Sequence, residues 1–221
     1  QYCKDIKIFT DNIEEEALST IYKMAESMAY KNKKIRIMPD VHQGKGCVIG
    51  FSCPIDIKYD FVSPEVVGCD LGCTVSAVFF DREMPKEKIA ELEHKIRKSI
   101  PFGVNINEKT KVDAKLIIKR FNFVQNRLCS FFPKFSEYRI NFEEENDLKN
   151  WVDKFHMDFG VFMKSIGSVG SGNHYLEYDV NDELGKYCIC VHCGSRNLGL
   201  KVFNYWNKIA KSITISKEEM R

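Results

Sequence analysis

Asp70 and Cys73 stand three residues apart in the run Val67, Gly68, Cys69, Asp70, Leu71, Gly72, Cys73, just ahead of a segment rich in strand formers. A carboxylate and a thiol at the mouth of a strand are either half of a metal site or an ordinary polar turn, and ligand partners elsewhere decide between the two. Two later motifs supply such partners. The glycine-rich loop 167–172 delivers Asn173 and His174 into a strand, and a second strand delivers His192 into Cys193, Gly194, Ser195 and Arg196. Asp70, Cys73, His174 and His192 then form a ligand set of one carboxylate, one thiolate and two imidazoles. A divalent cation would ionise the thiol, and ligand softness taken alone points to Zn²⁺. Arg196 offers a bidentate fork, Asn173 an amide and the 167–172 loop its backbone N–H groups, all suited to phosphate. Metal beside oxyanion donors suggests phosphoryl or nucleotidyl transfer.

Asp40 and His42, two residues apart, share a face if their segment is extended, and read equally as a turn-stabilising pair. Gly44 and Gly46 flank Lys45 where backbone could approach an anion, although the pattern is not a P-loop.

The elements that must position these groups follow from periodicity. Helices are expected over residues 11–31 (Asp11 and Glu14 capping; Ala17, Ile21, Met24 and Met28 inward), 86–99 (Ile89, Leu92 and Ile96 inward) and 111–131. A further helix over 151–165 carries His156 as a packed or half-exposed bystander, and His94 is an exposed one. Strands are expected at 35–38, 47–53, 55–62, 73–80, after His174 and over 186–191. A last helix turns Phe203, Trp206 and Ile209 or Ala210 inward; 104–110 is a polar loop and 134–147 an irregular insertion or lid. The expected class is α+β, mixed or antiparallel sheets flanked by helices, in one domain spanning 1–221.

With 221 residues, 44% of them hydrophobic, the chain can bury a substantial core, and its net charge of +2 gives no bulk signal for a polyanion. A local basic cluster of Lys31, Lys33, Lys34, Arg36 and Lys45 surrounds Asp40, and reads equally as a solvated helix end. Of the nine cysteines, Cys47, Cys53, Cys188 and Cys190 sit in apolar runs and not in regularly spaced loops, and there is no signal-peptide pattern or long apolar segment, which points to a reducing cytoplasm and no membrane association. An opening at Gln1 and a capping box at Ser216 and Glu219 read as a fragment of a longer chain, one that would expose apolar surface and dissolve poorly.

Taken together, four motifs resemble the RtcB family of RNA ligases in order and spacing. They run from Met38 to Gly46, from Val67 to Cys73, from Gly170 to Glu177 and from His192 to Gly199. The resemblance implies a GTP- and Mn²⁺-dependent enzyme joining an RNA 3′-phosphate or 2′,3′-cyclic phosphate to a 5′-hydroxyl through a guanylylated histidine. It implies that Cys73 bridges two Mn²⁺ ions, with Asp70 and His174 on one and His192 on the other. Asn173, His174, Ser195 and Arg196 would face the nucleotide or RNA phosphate, and Asp40 would orient the histidine that accepts GMP. An activating protein partner is compatible with it. Thr74 and Cys193 depart from the family pattern, and no histidine follows His192, so the covalent nucleophile is not among these residues. Two alternatives are a non-catalytic metal- and RNA- or nucleotide-binding module and a metal-dependent phosphodiesterase.

Overall fold

The structure, a computed structural model, describes residues 3–44, 46–56 and 66–213. It divides into two compact units, one drawn from Gln1–Gly68 and Asn207–Arg221, the other Cys69–Trp206. The class is α+β, with two three-stranded sheets and flanking helices.

In the first unit, β1 (Asp5–Ile8) runs parallel to β2 (Lys34–Ile37), which pairs antiparallel with the short β3 (Phe51–Ser52). Alternation along β2 buries Ile35 and Ile37 and turns Arg36 outward, where it pairs with Asp5 at 2.8 Å. Helix α1 (Glu15–Ala25) lays Ala17, Ile21 and Met24 on that core. It stops six residues short of the expected end. The Ser27 hydroxyl accepts the Ala29 amide and opens a separate 3₁₀ turn, and Asn32 takes φ 60°. Tyr30 instead of Met28 therefore joins the core, its ring 5.4 Å from Phe51. The expected cap fails as well, since Glu14 at the N-cap makes no side-chain bond. Of the strand expected over 47–53 only Phe51 and Ser52 pair, because the loop before them closes on itself: the Ile49 amide donates to the His42 carbonyl at 3.0 Å. Most of the strand expected over 55–62, Lys45 and the terminal capping box lie outside the described residues.

The second unit is built on an antiparallel sheet in the order β4 (Thr74–Phe80), β6 (Lys186–Cys193), β5 (Tyr175–Asn181). Helix α2 (Lys86–Ser99) faces it with Ile89, Leu92 and Ile96, which are half-buried around a cavity of about 350 Å³ shared with Leu176, Tyr178 and Ile189. Helices α3 (Ala114–Phe131), α4 (Glu145–Asp153) and α5 (Phe159–Ser165) enclose a second core of Ile118, Phe142, Leu148, Val152, Phe162 and Met163. The single helix expected over 151–165 is thus two. His156 adopts φ 55° and is exposed, and the Asp158 carboxylate accepts the Val161 amide at 2.8 Å, so a new helix is capped where the old one would have continued. The span expected to be irregular holds a 3₁₀ segment, Pro133–Tyr138, and the start of α4. In α6 (Arg196–Ser212) only Gly199 is buried; Trp206 and Ile209, expected inward, are exposed. Cys3, Cys69, Cys73, Cys129, Cys188, Cys190 and Cys193 are free thiols, and among the described residues no helix is long and apolar enough to cross a membrane.

Candidate active site

Strand direction explains why residues from distant motifs meet. β4 and β5 both run antiparallel to the β6 strand between them, so their starts and the end of β6 share one end of the sheet. His192 pairs in register with Val75 on one side and Tyr175 on the other. Asp70 and Cys73 precede β4, Asn173 and His174 precede β5, and His192 to Arg196 close β6. All of them arrive at that end.

At that end His174 Nε2 meets Asp70 Oδ2 at 2.7 Å. A carboxylate only accepts, so Nε2 carries the proton and Nδ1 is left as a lone pair, buried and without a partner. The other carboxylate oxygen of Asp70 accepts the Ser195 amide at 2.9 Å and also the Ser195 hydroxyl. Burial pushes the Asp70 carboxyl up, but the Ser195 hydroxyl, the Ser195 amide and the His174 ring together outweigh it and hold it below its ordinary value.

The His192 ring meets the His174 ring edge-on, centroids 4.9 Å apart. Its Nδ1 donates to the Asn173 carbonyl at 3.0 Å, which fixes the tautomer and leaves Nε2 as a lone pair able to ligate a cation. The Asn173 side chain is exposed. Cys73 is also exposed, its amide closing a turn on the Asp70 carbonyl at 3.3 Å with Gly72 at φ 84°. The four expected ligands therefore form a touching pair, a neighbouring ring and an exposed thiol. Among the described residues, the one trio of ligand atoms gathered within 4.8 Å is instead Glu177, Asp179 and Cys190. It lies one row along the same sheet face from His192, with Glu177 opposite Cys190. Partial desolvation and then the Asp179 carboxylate raise the Glu177 carboxyl.

The packing around the pair excludes side chains. A Cβ added at Gly194 would sit 2.5 Å from His174 Cε1 and 3.0 Å from Asp70 Oδ2. One added at Gly170, where φ is 122°, would sit 2.4 Å from His174 Nδ1 and 2.8 Å from Arg196 Nη1. Glycine is thus required at both positions for the ring to lie against the backbone. The 167–172 loop is tied down by its own amides: Val169 donates to Pro101, and its carbonyl accepts the Gly194 amide at 2.9 Å.

Arg196, expected as an anion fork, donates through Nη2 to the carbonyls of Gly103 at 2.8 Å and Asn105 at 3.1 Å, while its Nε is buried without a partner. Asn107, from a loop with no role legible in the sequence, is buried and donates to the carbonyls of Lys164 and Ile166. Only its polar character in an otherwise ordered segment hinted at this. Asp40 lies in the first unit, in a turn where its carbonyl accepts from His42 Nδ1 at 2.7 Å; the two form the turn-stabilising pair and not an extended ladder.

Residues 22–220 match the family model described as tRNA-splicing ligase RtcB. The chain is 31% identical over 191 residues to RNA-splicing ligase RtcB homolog 1 of Entamoeba dispar, covering 75% of this chain and 35% of that protein. It is 27% identical over 213 residues to RNA-splicing ligase RtcB of Escherichia coli, covering 93% of this chain and 47% of that one. With tRNA-splicing ligase RtcB of Archaeoglobus fulgidus it shares 29% identity over 187 residues, 75% of this chain and 38% of that one. The chain spans less than half the length of each of these relatives. With its family model matched along nearly the whole sequence, the chain belongs to the RtcB family of tRNA-splicing ligases.

Proposed function

We propose that this chain supplies the metal- and nucleotide-holding part of a GTP- and Mn²⁺-dependent RNA ligase that joins an RNA 3′-phosphate or 2′,3′-cyclic phosphate to a 5′-hydroxyl. The observation that carries the reading is the Asp70–His174 contact with His192 against it. An anionic oxygen and a ring nitrogen 2.7 Å apart present neighbouring ligand atoms, and a cation taken up by both would replace the proton between them. The orphaned, buried His174 Nδ1 and the free Nε2 of His192 fit a site that works with imidazole ligands. Asp70 and His174 would hold one Mn²⁺, His192 a second, and Cys73 would bridge them. Bound there, the ions would neutralise charge on phosphate oxygens.

The residues themselves divide the remaining work. Ser195 keeps Asp70 ionised and oriented. The Asn173 amide is free to meet a nucleotide phosphate, and the Arg196 cation braces the 103–105 loop beside it. GTP would guanylylate a histidine with loss of pyrophosphate; GMP would pass to the RNA 3′-phosphate, and the 5′-hydroxyl would attack that end and expel GMP. The accepting histidine is not among these residues, and Asp40 would orient it. An activating protein and a cytoplasmic site of action, in keeping with free thiols such as Cys69, Cys73 and Cys193, complete the reading.

Two measurements test it. Residues 1–221 should bind Mn²⁺ by electron paramagnetic resonance, and Asp70→Ala or His174→Ala should remove the ion that the pair would hold. A chain that also contains the accepting histidine should form an acid-labile GMP adduct with labelled GTP and Mn²⁺, and Cys73→Ala should abolish it. Metal binding without any adduct would favour a non-catalytic module, and retained labelling in Cys73→Ala would overturn the site assignment.

A further inference from the structure

Helix α3 is two-faced in an unusual way. Its inner face packs Ala114, Ile118 and Phe121 into the second core, with the Phe121 ring 4.6 Å from Phe142. Its outer face carries Phe123, Arg127 and Phe131 at successive four-residue steps, all exposed, the two rings by more than half. The Arg127 guanidinium lies 6.0 Å from the first ring centroid and 5.8 Å from the second. The 3₁₀ segment that follows adds Phe135 and Tyr138, also exposed, with Phe132 and Phe135 rings 6.0 Å apart. These rings stand on a fixed base. Gln125 accepts the Ile140 amide at 2.9 Å, and the Asn122 amide donates to the Phe142 carbonyl at 2.8 Å.

Charge separates this face from an ordinary apolar contact. Residues 111–140 hold seven Lys or Arg against two Asp or Glu, a net +5 in a chain whose total is +2, so the remainder is net negative. On α2 three of the five Lys and Arg residues are paired within the helix, Lys88 and Lys95 with Glu91 and Arg97 with Glu93. On α3, Lys119, Arg120 and Arg127 make no ion pair with a carboxylate among the described residues. Exposed π faces interleaved with unneutralised cations are what unstacked bases and their phosphates require.

We propose that the outer face of α3 and the adjoining Pro133–Tyr138 segment bind single-stranded RNA, with bases stacked on the rings and phosphates on the cations. The proposal rests on the ligase reading for the identity of the polymer, and it assigns that RNA a holding surface in addition to the metal centre. Stacking makes the surface tolerant of sequence and selective for single strands over duplex.

The test is binding of residues 1–221 to a fluorescent oligouridine of roughly ten nucleotides, in chelator, so that neither metal nor GTP contributes. Binding should be weaker for a duplex of equal length. Phe131→Ala and Arg127→Ala should each weaken it about tenfold. Arg127→Ala should also flatten the salt dependence by roughly 0.7 in log–log slope. Phe131→Trp keeps a ring, so it should retain binding and show indole quenching by RNA; this reads the contact even if the alanine variants fold poorly. Absence of binding, or variants that bind like the parent, would overturn the proposal. Variants that leave RNA binding unchanged but alter sedimentation would assign the face to a protein contact and overturn it too. Failure of the ligase reading appears separately, in the GTP adduct.

Discussion

His174 and Asp70, 104 residues apart in sequence, meet at 2.7 Å over a stretch of backbone that has no room for a methyl group at Gly194. The missing side chain there is part of the site's geometry as much as the two side chains are, because the imidazole rests on the peptide plane that carries Gly194.

Gly194→Ala should therefore act on the site and on stability together. A Cβ 2.5 Å from His174 Cε1 must displace the ring or the 193–195 turn, at a cost of about 1–3 kcal/mol. Chemical denaturation would read that loss, and if the pair holds Mn²⁺ as proposed, a Mn²⁺ titration should show binding weaker by about tenfold. Unchanged metal affinity would mean that the ring shifts without leaving Asp70.

Asp70 accepts three hydrogen bonds, so its removal strands more than one donor. Asp70→Ala leaves the Ser195 amide and the His174 N–H without their acceptor and should cost about 1–3 kcal/mol even in chelator. Ser195→Ala keeps the amide bond and loses only the hydroxyl, so its cost should be the smaller, about 1 kcal/mol. Equal losses in urea titrations would show that the carboxylate is held mainly by the hydroxyl.

The contrast between what was legible and what was not has a physical basis. His174 and His192 could be read because one stands just before a strand and the other near the end of the next, both beside glycines, and the hairpin register brings them together. The half-burial of Ile89, Leu92 and Ile96 on α2 also follows from period alone. The break at His156 could not be read that way. Phe155, Met157 and Phe162 are all buried, so the apolar pattern runs straight through a point where the backbone turns left-handed. The contacts of Arg196 could not be read for a related reason: its chemistry suits a phosphate, and main-chain carbonyls 91 and 93 residues away also attract a guanidinium. On α3 period alone groups Val124 and Leu128 with Ala114, Ile117 and Phe121, yet only the last three meet the core while Val124 and Leu128 are exposed, and period is silent about rings on the outer face.

Asn107 gives a further prediction, from a loop that composition leaves featureless. Its side chain and amide both donate to the Lys164 carbonyl, and the side chain also reaches Ile166, joining the 104–110 loop to the end of α5. Asn107→Ala should destabilise by about 1–3 kcal/mol, since the part-buried Ile166 carbonyl loses its donor and the Lys164 carbonyl keeps only the backbone amide. Hydrogen exchange should quicken at Ser168 and Val169, whose amides lie just beyond. Unaltered exchange there would limit the role of Asn107 to its own loop.

Asp147 carries the clearest pH dependence. Its Oδ2 accepts the amides of Glu143 at 2.8 Å and Glu144 at 3.0 Å, closing the first turn of α4. Those two bonds favour the ionised form and hold the carboxyl below its ordinary value. A lowered folded pKa means that the unfolded chain binds the proton more readily. The stabilisation is therefore complete above the ordinary carboxyl value of about 4 and is lost as pH falls from there through the folded pKa. Asp147→Ala should lower Tm by a few degrees at neutral pH, and the gap to the parent should close on acidification below about pH 4. A carboxyl carbon titration by NMR would locate the folded pKa directly. A gap that stays constant through that window would mean that the turn is held by shape and packing of Leu148 and Val152 and not by the charge on Asp147.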